Sequence, residues 1–207
     1  MACALCAAPI PPASDNPPPG RIVVLGDSIT AGYGLDRAQA YPALLQKKID
    51  DAKWPFEIVN AGVNGDTTAG GLRRITWTLR GGAEVLIVAL GGNDGLRGVP
   101  PDQTAENLQK IIEQARAQSP RLSILIAGMQ MPANLGATFT ERFASLFPRV
   151  AKETHSILIP FLLEGVGAVP ELNQGDLIHP NPEGQKRVAQ NIWPFLEPIL
   201  KAKLPPS

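Results

Sequence analysis

RIVVLGDSIT, residues 21–30, begins with a nearly continuous apolar run and ends on a glycine, an acid and a hydroxyl. Such a run suits a strand covered on both faces, whereas a strand with one wet face alternates apolar and polar residues. The pattern returns at FEIVNAG (56–62), EVLIVALGG (84–92), RLSILIAGM (121–129) and, more weakly, SILIPFL (156–162). Helical stretches separate these runs: QAYPALLQKKIDDA, TTAGGLRRITWTL, TAENLQKIIEQARAQ and TFTERFASLFPRVAKET, with PEGQKRVAQNIWPFLEPIL closing the chain. Regular alternation of strand and helix predicts an α/β fold, one parallel sheet of five strands with helices on both faces. Asp102 or Gln103, Thr138 and Asn181 are the expected helix caps, with Pro182 suited to a first helical position.

At 207 residues the chain is long enough for a single α/β domain with a sizeable core. Lys plus Arg number 19 and so do Asp plus Glu, so no net field draws nucleic acid or an anionic membrane to the surface. A small, uncharged ligand fits better. The two cysteines, Cys3 and Cys6, both precede the globular part and provide no disulfide framework for it. MACALCAAPI followed by PPASDNPPPG reads as the end of a secretory signal running into a Pro-rich spacer, although it lacks a basic leader. Residues 1–19 are therefore expected to be a signal remnant or a disordered segment, with 20–203 forming the domain. A periplasmic or secreted protein is expected, a cytoplasmic one with a disordered tail being the alternative. No later run approaches the ~20 apolar residues that span a bilayer. A monomer is expected.

The carboxyl ends of parallel strands share one edge, so loops far apart in sequence meet there. Ser28 follows the first strand, and a helix start after it leaves its N–H without an internal partner. Its hydroxyl can attack a carbonyl while that N–H holds the resulting oxyanion. In DLIHP (176–180), Asp176 can accept from one ring nitrogen of His179 while the other points toward Ser28 as a base. The other histidine, His155, stands at a predicted helix end, where a basic side chain suits the dipole, and is read as structural. Gly65, in NAGVNGDTT after the second strand, and the amide of Asn93, in GGND after the third, are candidate oxyanion donors. Asp27 and Asp94 are expected to accept backbone N–H groups at their turns. No phosphate-binding glycine loop with lysine follows the first strand, and no clustered His, Cys or acidic spacing implies a metal. No cofactor is expected.

These four blocks, GDSIT, NAGVNGDTT, GGND and DLIHP, resemble the signatures of the GDSL, or SGNH, hydrolases over essentially residues 21–200. GGNDGLRG and NGDTTAGGLRR look like the bacterial periplasmic branch of arylesterases, acyl thioesterases and lysophospholipases. The resemblance implies a flavodoxin-like α/β/α sandwich of strand order 2-1-3-4-5. It further implies Ser28 as nucleophile, His179 as base, Asp176 as its partner, and Ser28 N–H, Gly65 N–H and Asn93 as oxyanion donors. The implied partner is a small ester or acyl substrate. The segment from Gly95 through Leu96, Arg97 and Gly98 to Val99 matches the family's mobile loop. Met129, Met131, Pro132 and Leu135 offer an adaptable apolar wall beside it, with core filling as the other reading of the methionines. A carbohydrate acetylesterase of the same superfamily and an inactive flavodoxin-like binding module are the competing readings.

Overall fold

β1 (Gly20–Gly26) lies at the second position of a five-stranded parallel sheet in this computed structural model, which describes residues 20–204. The strands β2 (Phe56–Gly62), β3 (Val85–Ala89), β4 (Ser123–Ala127) and β5 (Ile157–Ile159) complete it in the order 2-1-3-4-5. The expected export segment, residues 1–19, lies outside the described residues. Ile22, Val23, Val24 and Leu25 of β1 and all five residues of β3 are buried, as their continuous apolar runs require. β2 is an edge, and the carboxamide of Gln46 covers part of it, donating to Phe56 O and accepting from Ile58 N–H.

Helices cover both faces, making a three-layer sandwich. Helix α1 is one turn, Ser28–Ala31; α2 is Tyr41–Asp51 and α3 Thr68–Thr78. Then come α4 (Gly92–Leu96), α5 (Pro101–Gln118), α6 (Ala137–Glu153) and α7 (Pro182–Lys203). α2 packs beside α7, while α3 packs on α5 and α5 on α6. Among the described residues no helix is long and apolar enough to cross a membrane.

Several boundaries differ from the sequence reading. β3 stops at Ala89 and β4 runs only from Ser123 to Ala127, since the flanking apolar residues turn into the loops of the carboxyl edge. α5 starts at Pro101 behind Pro100, the fixed φ of proline suiting a first helical position. Asp102 is thereby moved into the first turn, where it pairs with Arg142 and Arg149 instead of capping. α6 starts at Ala137 behind Gly136, whose φ of +89° is glycine's territory, so Thr138 is no cap. Asn181 does cap α7, accepting from Gly184 N–H with Pro182 following. α7 continues through Pro194 and Pro198 because Val188, Ile192, Leu196 and Leu200 bury one face on the core.

Candidate active site

The turn after β1 is built for close approach. A Cβ on Gly26 would fall 1.9 Å from Thr30 Oγ1, so only glycine lets the chain fold back there. Asp27 caps α1 by accepting from Ile29 N–H, and Gly32, at φ +76°, ends it in the left-handed conformation. Two neighbouring helices, α2 and α7, hold this single turn. Thr30 Oγ1 and Tyr41 Oη of α2 lie 2.7 Å apart, and Gln185 of α7 donates to Ile29 O while accepting from Tyr41 N–H. Ser28 is thus presented at the carboxyl edge on a braced support.

The loop before α7 brings His179 to it. His179 Nε2 lies 2.9 Å from Ser28 Oγ, and His179 Nδ1 lies 2.6 Å from Asp176 Oδ2. The other carboxylate oxygen of Asp176 accepts from Ile178 N–H and His179 N–H. These bonds, the His179 N–H first and its ring second, hold the Asp176 carboxyl at about 2, below the usual range. Leu177, between them, sits at φ +58°, an uncommon backbone for a branched side chain and a local strain at the turn that joins acid and base. Gln174 braces the loop: its N–H donates to His179 O, and its side chain donates to Tyr33 O and Pro180 O. The ring of Tyr33 lies 4.7 Å from the imidazole. His155 stands just before β5, at the opposite edge of the sheet, with its φ of +47° closing α6.

Asn93 lines the same pocket as Ser28 and Asp27. Its amide donates to Asp66 O at 2.9 Å and faces Asp27 Oδ2 at 3.4 Å, which ties it to the loop that carries Gly65. Gly65 itself, at φ +71°, is not on the pocket wall; Arg97 donates to its carbonyl from the segment after α4. Among the described residues neither Ser28 N–H nor Gly65 N–H has a backbone partner, so both remain available as donors. Asp66 is held in turn by Arg74, which also donates to Gly26 O and Ala61 O, linking the ends of β1 and β2.

Asp27 and Asp94 both accept backbone N–H groups at turns, as expected. Asp94 takes the N–H and the hydroxyl of Thr68 at the start of α3, and Asn107 donates to the same hydroxyl. Burial raises both carboxyls above the usual range, Asp27 to about 6.

A cavity of about 480 Å³ opens beside Ser28. Leu96, Met129, Met131 and Pro132 line it. Leu135 does not, because the short helix Ala133–Leu135 turns it toward a separate hollow with Phe139 and Arg142. The rest of the wall is Phe161, Leu163, Gly167, Ala168, Leu177 and Ile178, which no motif in the sequence marks as lining it. Their signal was there in part: an apolar stretch continuing past β5, and two exposed apolar residues inside DLIHP. Among the described residues, no group of three His, Cys, Asp or Glu is placed to hold a metal.

A parallel α/β sandwich of this strand order, with serine, histidine and carboxylate hydrogen-bonded in sequence at its carboxyl edge, defines a serine hydrolase. The chain belongs to the GDSL-like lipase/acylhydrolase family, whose model matches residues 24–187, and is a carboxylic ester hydrolase. It is 43% identical over 180 residues to esterase TesA of Pseudomonas aeruginosa, covering 86% of this chain and 89% of that one. It is 37% identical over 182 residues to thioesterase 1/protease 1/lysophospholipase L1 of Escherichia coli K12, covering 86% and 84%. The crystal structure of TesA superposes with a TM-score of 0.83 at 42% identity, over 86% of this chain and 99% of that one.

Proposed function

We propose that the enzyme hydrolyses aryl and short- to medium-chain acyl esters, with acyl thioesters and lysophospholipids as further substrates, through an acyl-enzyme on Ser28. The observation that carries the reading is the relay in which Ser28 Oγ meets His179 Nε2 at 2.9 Å and His179 Nδ1 meets Asp176 at 2.6 Å. His179 takes the Ser28 proton as Oγ attacks the carbonyl carbon. Asp176, ionised throughout the working range, fixes the tautomer and steadies the imidazolium. Ser28 N–H, Gly65 N–H and the Asn93 amide stabilise the tetrahedral oxyanion, a contribution worth about a hundredfold or more in rate per donor. The intermediate collapses as His179 returns the proton to the leaving oxygen. Water, activated by the same base, then releases the acid.

The acyl group occupies the apolar cavity between Leu96, Met131 and the Phe161 and Leu163 wall. The substrate range is supported by the names of the relatives, an esterase and a thioesterase/lysophospholipase. The acetylesterase reading has less support. Trp54 and Trp193 stack on each other between α2 and α7, away from the pocket, and so offer no platform for a sugar there. Residues 20–203 are the hydrolase domain in this reading, and residues 1–19 direct export to the periplasm or medium.

Initial rates on p-nitrophenyl esters from acetate to palmitate, for wild type and Ser28→Ala with melting curves for both, test the reading. Turnover peaking at a medium chain and lost by several orders of magnitude in the variant is the expected result. An optimum at acetate with steep loss thereafter favours the acetylesterase, and a folded wild type inactive on every ester favours a binding module.

A further inference from the structure

The acyl cavity is built from one side of the sheet only. Its walls come from the loops after β1, β3, β4 and β5 and from the His179 loop; none comes from the loop after β2. Strand order places β2 on the far side of β1 from β3, β4 and β5. With the acyl chain in the cavity and the carbonyl oxygen turned to its donors, the fourth substituent of the tetrahedral carbon must lie outside that cavity. It must also stay within reach of His179 Nε2, which protonates it.

Tyr33 stands there. It is outside the cavity and 48% exposed, and its ring centroid lies 4.7 Å from that of His179 with the planes inclined at 40°. Its placement is fixed by backbone on both sides, because its N–H donates to Ser28 O and its carbonyl accepts from Gln174. The ring is therefore held beside the base with about half of its surface open to a bound leaving group.

We infer that Tyr33 is the platform for the leaving group and selects aryl over alkyl leaving groups. An aryl ring stacked on Tyr33 keeps its ester oxygen beside His179, whereas an ethyl group gains little from the same surface. The inference rests on the acyl-enzyme reading above and adds no step to it: the C–O bond to the leaving oxygen breaks and the His179 proton goes to that oxygen.

Phenyl butyrate and ethyl butyrate give the same butyryl-enzyme, so only acylation distinguishes them. Acid release is followed by titration for wild type, Tyr33→Ala, Tyr33→Phe and Ser28→Ala. Tyr33→Ala should lower kcat/KM on phenyl butyrate about tenfold, the upper scale of one aromatic pair, and leave ethyl butyrate within about twofold. Tyr33→Phe should retain the wild-type preference. Equal loss on both esters means that Tyr33 acts through His179, and no loss on either means that it touches no leaving group; each overturns the inference. Activity surviving in Ser28→Ala contradicts the acyl-enzyme reading itself, so the two failures are distinguishable.

Discussion

Thr68 gives both its backbone N–H and its hydroxyl to one carboxylate, that of Asp94, at 2.9 and 2.5 Å. The pair locks the first turn of α3, which follows the Gly65 loop, to α4, which carries Asn93. Two proposed oxyanion donors from different strands are thereby held at one spacing. Asp94→Ala leaves the buried Thr68 N–H and hydroxyl short of an acceptor, at a cost of about 1–3 kcal/mol. Urea unfolding should show that loss, and kcat should fall with little change in KM. A variant as stable and active as wild type would contradict this account of the pair.

Asn93 is the one side-chain donor in the proposed oxyanion hole, and its amide is already aligned by Asp66 O. Asn93→Ala should lower kcat on a p-nitrophenyl ester by about 10²–10³, the usual cost of one such donor. KM should stay within a few-fold, because the cavity that binds the acyl chain is otherwise intact. Steady-state kinetics with both constants resolved decides it, and a KM effect alone would move Asn93 from the transition state to substrate binding.

Asp27 makes stability depend on pH in an unusual direction. Its folded pKa is raised by burial from 3.8 to about 6, so between those values the folded protein holds a proton that the unfolded chain has released. Stability on account of Asp27 therefore falls as pH rises from about 4 to about 6 and is level beyond. Asp176 runs the other way: its pKa is lowered to about 2, so its contribution persists above 3.8 and is lost only as pH falls toward 2. Urea midpoints across this window should decline more steeply in wild type than in Asp27→Asn. Parallel curves would remove Asp27 as the cause.

What could be read from the sequence was whatever chemistry a short local pattern fixes. Continuous apolar runs at β1 and β3 announce strands buried on both faces, and DLIHP joins an acid to a base within one turn. The strand order and the choice of Gly65 came through family resemblance, since periodicity alone orders no sheet. Gln185, Tyr33 and the Thr68–Asp94 pair were not legible because their roles depend on partners brought together by the fold: Gln185 reaches Ile29 across 156 positions. Leu135 stands outside the cavity for a similar reason, as the short helix that turns it away carries no distinct signal in the sequence. The wall from Phe161 to Ala168 carries no separate signal because β5 is only three residues long and its apolar continuation reads as more strand.

The most direct test of the central claim is the covalent intermediate at Ser28. Incubation with diethyl p-nitrophenyl phosphate, followed by intact-mass and peptide mass spectrometry, traps the attacking residue because the phosphoryl ester is not readily released. One diethylphosphoryl group per chain on Ser28, absent in Ser28→Ala and formed much more slowly in His179→Ala, is the predicted result. Labelling of Ser28→Ala at the wild-type rate, or a label on another residue of the folded enzyme, would contradict it.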